Sequence, residues 1–94
     1  MKEIDIKNGR LTMNGEMTIS NSMEIKEALL NAIQNPEPVI LDLGGVTGAD
    51  VAFLQILVSS GYQKKEFKIE NPSREFLQVV ERTGFSHYLK PLFT

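Results

Sequence analysis

Cysteine is absent from this chain and histidine occurs once, at His87. The first absence removes disulfides, thiol catalysis and cysteine metal sites together. The second removes a histidine metal cluster and a hydrolase triad with a histidine base inside one chain. No apolar run approaches the ~18–20 residues of a membrane span. The opening Met1-Lys2-Glu3-Ile4-Asp5 has no apolar stretch of the secretory-signal kind. An excess of one charge sign is lacking too: the formal net charge is -2, which gives no basic footprint for nucleic acid. Lys64-Lys65 and Lys68 are too few to make a basic patch. What is left is 94 residues, 41% of them hydrophobic, enough for one small domain with a modest core. The expectation is a soluble, cytoplasmic protein of one domain spanning residues 1–94. No cofactor, no nucleic-acid partner and no direct membrane insertion are expected of it.

Ile4 and Ile6 alternate with polar neighbours, as do Leu11 and Met13, and Asn8-Gly9 lies between the pairs. That pattern predicts two short antiparallel strands joined by a tight turn. Asn14-Gly15 marks a second break or bulge before Met17 and Ile19. A helix is expected to start near Ser20 to Ser22, with Asn21 as cap and Glu24 placed for a capping box. Ile25, Leu29, Ala32 and Ile33 fall on one helical stripe, and Asn35-Pro36-Glu37-Pro38 ends it. Val39 to Leu43 suits a strand buried on both faces, and Glu66 to Ile69 a shorter one. Asn71-Pro72 starts another helix with proline in the first turn. Its core stripe is Phe76, Leu77 and Val80. Gly84-Phe85 then reads as a helix stop, and Ser86 to Thr94 leaves room for a short last helix. A hairpin followed by alternating helices and strands defines an α/β domain with a mixed sheet.

The segment after Asp50 carries more apolar residues than one helix face can hold. On a helical wheel Leu54, Leu57, Val58 and Gly61 form a core stripe. Ala52, Ile56 and Ser59 lie opposite, with Phe53 on one flank. Phe53 and Ile56 admit two readings: further core, or, with Ala52, a small exposed apolar patch for a partner. Asp50 is placed to cap the helix, accepting from the free N–H groups of the first turn and favoured by the helix dipole.

The stretch "VILDLGGVTGADVAFLQILVSS" resembles the signature of the STAS domain, the fold of bacterial anti-sigma-factor antagonists. Leu41-Asp42-Leu43, Val46, Asp50 and Leu54 match that pattern in order and spacing. Downstream, "IENPSREFLQVVERTGF" is similar to the closing strand and helix of the family. The resemblance implies a STAS-type mixed sheet of four to five strands packed with three to four helices. It also implies a non-enzymatic binding module controlled when a partner kinase phosphorylates the Ser after the Asp. Phosphoserine there adds nearly two negative charges at a helix mouth. This chain departs from the pattern at that place. Val51 stands at the phosphoacceptor-equivalent position and has no hydroxyl, Ala52 follows, and Phe53 replaces the usual Gly.

The resemblance implies a partner-binding surface of Thr47 and Gly48 in a loop, then Asp50, Val51, Ala52, Phe53 and Ile56. The implied partner is an anti-sigma factor with a kinase-like ATPase fold, or another signalling protein. The alternative is a cytoplasmic subunit of a chemotaxis, transport or lipid-trafficking complex, assembled constitutively through the same surface. Self-association as a homodimer through that apolar mouth is a further option. An enzyme is disfavoured, because the carboxylates are scattered and His87 sits beside Tyr88 near the end of the chain. Gly44-Gly45 and Gly48 lack Walker or dinucleotide spacing.

Overall fold

The structure is a computed structural model that describes residues 2–7, 10–64 and 66–93, with the backbone alone for Lys2 and Lys7. Met1, Asn8-Gly9 with the turn expected there, Lys65 and Thr94 lie outside the described residues. The strands are β1 (Lys2–Lys7), β2 (Arg10–Met17), β3 (Val39–Ala49) and β4 (Phe67–Glu70). The helices are α1 (Ser22–Gln34), α2 (Val51–Gln63), α3 (Arg74–Thr83) and the single turn α4 (Ser86–Leu89). Short 3-10 turns at Ile19–Asn21 and Lys90–Leu92 precede α1 and close the chain.

The sheet order is β1-β2-β3-β4, with β1 antiparallel to β2 and the other pairs parallel. Helices α1 and α2 are therefore successive crossovers between parallel neighbours. The strong right-handed preference of such crossovers puts both on the same face of the sheet. The strand sequences agree with that. Leu11, Met13, Leu41, Leu43, Phe67 and Ile69 are buried, while Thr12, Ile40, Asp42, Lys68 and Glu70 between them are not. Period-two alternation in β3 therefore shows one covered face and one open face, not the strand buried on both sides that its apolar run suggested. Beyond β4, the sheet edge is touched by the end of the chain through a bridge between Ile69 and Phe93, which shields part of an otherwise bare edge.

Several boundaries differ from the sequence expectation, each for a local reason. Asn14-Gly15 does not break β2. It is absorbed by register shifts against β3 on either side of that pair, with Gly15 at φ 91°, as a bulge requires. Ile19 lies past the strand in a 3-10 turn. Asn21 stands at the N-cap of α1 without a side-chain cap bond; its amide donates instead to the Glu16 carbonyl at 2.9 Å. Helix α3 starts after Ser73, not at Asn71-Pro72. The Ser73 hydroxyl accepts from the Phe76 N–H at 3.0 Å and donates to the Val46 carbonyl at 2.6 Å, which pins the helix mouth to β3. Its buried stripe is Phe76, Val79 and Val80, and Leu77 is exposed. Gly84 ends α3 in the left-handed region at φ 79°. The Phe85 N–H returns to the Val80 carbonyl at 3.0 Å, the pairing of a Schellman stop.

On the open face Arg10 ties three strands together. Its guanidinium reaches Asp42 Oδ2 at 3.0 Å and Glu70 Oε2 at 3.2 Å. The Gly44 backbone N–H, donating to Asp42 Oδ1 at 2.9 Å, holds the Asp42 carboxyl below the ordinary carboxylate range. Partial burial opposes this, and the Arg10 contact adds to the lowering. Because the folded-state value is depressed, the associated stability is complete above the usual carboxylate pH. It is lost as pH falls through the lower folded value. A carboxyl-carbon NMR titration should therefore find Asp42 ionised after ordinary exposed carboxylates have protonated. Arg10→Gln should recover part of that difference, since the Gly44 contribution is retained. Titration of Asp42 at or above the ordinary range would contradict the arrangement.

Candidate functional site

The candidate site begins where β3 hands over to α2. Thr47 and Gly48, expected in a loop, lie within β3, which runs on to Ala49. Gly48 pairs with Glu16 and Ala49 with Met17 of β2. The strand extends this far because β2 continues beside it, shifted in register, and gives the backbone groups partners. The glycines at 44, 45 and 48 are consequently strand residues, not a phosphate-cradling turn.

Asp50 caps α2 and does more than cap it. Its Oδ1 accepts from the Phe53 N–H at 3.1 Å, the expected N3 contact. Its Oδ2 accepts from the backbone N–H of Ile19 at 2.9 Å. One carboxylate thus joins the turn before α1 to the mouth of α2. The exposed side chain of Ile19, 68% accessible, is thereby held beside the first turn of α2. Val51, the first helical residue, is 41% exposed and presents an aliphatic surface at this mouth.

Phe53 does not belong to the surface. It is completely buried, and its ring meets Phe76 of α3 edge-on, with centroids 6.1 Å apart. Phe76 in turn contacts Phe93, at 6.4 Å, so three rings link α2, α3 and the chain end. The buried side of α2 is centred on Leu57, with Phe53 and Ser60 on one flank and Leu54 on the other. That arc is turned, at about 100° per residue, away from the stripe expected from the sequence, and Val58 is left half-buried. On the Phe53 flank the helix is covered by Phe76 of α3. On the other flank Gly61 faces the C-terminal turn, where a Cβ would come within 2.9 Å of Leu92.

Ile56 remains half-buried and, with Ala52, forms one wall of a groove of about 560 Å³ between α1 and α2. The opposite wall comes from α1 and the turn before it: Ile19, Ser22, Lys26, Leu30 and Ile33. This half of the site was not expected from the sequence. Its signal was the doublet Leu29-Leu30, in which Leu29 enters the core while Leu30 stays 49% exposed. Two apolar neighbours on a helix cannot share one face. Of the residues expected at the site, Asp50, Val51, Ala52 and Ile56 are brought together with Ile19. Thr47 and Gly48 sit just upstream at the strand end, and Phe53 is removed to the core.

Among the described residues no group of three or more His, Asp or Glu is placed to hold a metal ion. No described helix is long and apolar enough to cross a membrane.

A mixed sheet with helical crossovers on one face and an Asp-capped helix mouth after β3 defines the anti-sigma-factor-antagonist fold. Solved structures share that fold with the chain. An anti-sigma factor antagonist from Mycobacterium paratuberculosis superposes with a TM-score of 0.74 at 17% identity, covering 93% of this chain and 80% of that one. SpoIIAA, an anti-sigma factor antagonist in its unphosphorylated form, gives 0.71 at 14%, over 100% of this chain and 86% of that one. An anti-sigma-factor antagonist (STAS) domain protein from Planctomyces limnophilus gives 0.67 at 18%, over 93% and 84%. The family model described as "Mlab, STAS domain" matches residues 1–93. The chain belongs to the STAS family. No curated protein matches it in sequence.

Proposed function

We propose that this protein is a non-enzymatic regulatory binding module that docks a protein partner through the mouth of α2, without a phosphorylation switch at that mouth. The observation that carries the reading is Val51, an exposed aliphatic side chain at the first helical position, directly after the capping Asp50. A hydroxyl there would let a kinase add charge to the surface; a valine leaves that position without a phosphoacceptor. The docking surface consists of Thr47 and Gly48 at the end of β3, Asp50, Val51 and Ala52 at the mouth, and Ile56 with Ile19 leading into the groove. The partner class is an anti-sigma factor with a kinase-like ATPase fold. A surface fixed in its apolar state also suits a second reading, a constitutive subunit of a chemotaxis, transport or lipid-trafficking complex.

Val51→Asp tests both. The side chain is accessible, so the fold accommodates it, and an acid in the first turn is worth about 0.3–1 kcal/mol in favour of the helix. Capture from native lysate should recover an ATPase with wild-type protein and lose it with Val51→Asp, while thermal melts stay within a few degrees of each other. A kinase-like ATPase supports the first reading and a transporter ATPase the second. Equal capture by both proteins refutes the surface.

A further inference from the structure

The groove between α1 and α2 is more specific about its occupant than a patch of apolar surface would be. The inference rests on the docking reading above and names the chemistry of the partner segment. Along α1 the wall runs from Ser22 to Ile33, and along α2 from Ala52 to Gln63. Each spans twelve residues, a rise of about 17 Å at 1.5 Å per residue. Both walls are helices whose backbone groups are already bonded within their own turns. An extended peptide laid between them would find no ladder for its N–H and C=O groups, whereas a helix brings its own satisfied. The walls are apolar through Leu30, Ile33 and Ile56, and Gln55, Ser59 and Gln63 in the lining carry groups for side-chain hydrogen bonds. Lys26 is the single charged residue in the lining, and no carboxylate lines the groove.

We infer that the α1–α2 groove receives an amphipathic helix of the protein partner, about three turns long, carrying an acidic residue opposite Lys26. Third-helix packing of this kind fills the space between two side-by-side helices with apolar side chains at i, i+3 or i+4 and i+7. The acid sets the register of the incoming helix against a cation that is otherwise unpaired among the described residues.

The test uses the intact protein and two synthetic amphipathic helical peptides, alike in their apolar face, with Glu at the central position of one and Lys at that of the other. Amide NMR shifts on titration should map to Ser22, Lys26, Gln55 and Ser59. The Glu peptide should bind about fivefold more tightly, the upper range for a partly exposed ion pair. Lys26→Glu should reverse that preference, and its exposed position keeps the fold intact; Ile56→Glu should weaken both peptides. Equal affinities, shifts confined to the open sheet face, or no binding at millimolar peptide overturn the inference. So does a sedimentation result in which the protein dimerises and Ile56→Glu dissociates it, since a second copy would then fill the groove. If the peptides fail while lysate capture remains sensitive to Val51→Asp, the helix is wrong and the docking mouth stands. If the peptides bind with the stated preference while capture ignores Val51→Asp, the groove inference holds and the mouth is wrong.

Discussion

Phe53→Ala will cost about 3–5 kcal/mol of stability, the range for removing a buried aromatic ring. A domain of this size has in total about 5–15 kcal/mol to lose. The ring is fully buried and edge-on to Phe76, which itself touches Phe93. Its loss therefore opens a cavity where α2, α3 and the chain end converge, and removes an aromatic pair worth about 0.5–1.5 kcal/mol beyond area. Phe53→Asp will go further and leave the chain unfolded, because the buried pocket offers an ionised carboxylate no partner. Urea denaturation followed by circular dichroism measures the first, and loss of amide dispersion in NMR the second. A melting midpoint for Phe53→Ala within a degree or two of wild type would show that the ring does not fill the core. The consequence for function is direct. A charge at residue 53 cannot serve as a surface probe, and loss of binding in that variant would report unfolding. Val51, 41% exposed, is the position where docking can be tested separately from stability.

Asp50→Ala and Asp50→Asn will separate two roles of one carboxylate. The alanine variant gives up the cap bond to Phe53 and the tether to Ile19. Cap removal alone costs about 0.5–2 kcal/mol; the freed N–H of the exposed Ile19 turns to water and adds little. Asparagine caps nearly as well as aspartate, so that variant should melt close to wild type. Its single carbonyl oxygen, however, replaces two acceptors that face two separate donors. With the cap kept, the amide nitrogen confronts the Ile19 N–H, and donor meets donor. Hydrogen exchange at Ile19 should accelerate in both variants, while exchange along α2 should change mainly in Asp50→Ala. Partner capture should weaken in Asp50→Asn despite the retained fold, since Ile19 is no longer held beside Ala52. Undiminished protection of the Ile19 amide in Asp50→Asn would dismiss the tether.

Much of the architecture was legible because its signals are short in range. Alternation at Ile4, Ile6, Leu11 and Met13 anticipated the β1–β2 pair, the prolines after Asn35 ended α1, and Gly84 stopped α3 where a left-handed residue was needed. The cap at Asp50 was equally local, being a side chain and an N–H three residues apart. Less legible were the features that depend on a neighbour distant in sequence. The extension of β3 to Ala49 depends on β2 running alongside. The start of α3 at Arg74 depends on Ser73 reaching across to Val46.

By itself the sequence determined the order of strands and helices, the chemistry at the mouth of α2, and the missing hydroxyl at Val51. Periodicity, capping and residue identity act within a few positions of each other and need no third dimension. Tertiary structure alone decided which flank of α2 lines the groove and which is core. Phe53 and Ile56 lie on neighbouring parts of that helix, and hydrophobicity drives both inward without choosing between them. The choice was made by the arrival of Phe76 and Phe93 over one flank and by α1 standing apart from the other.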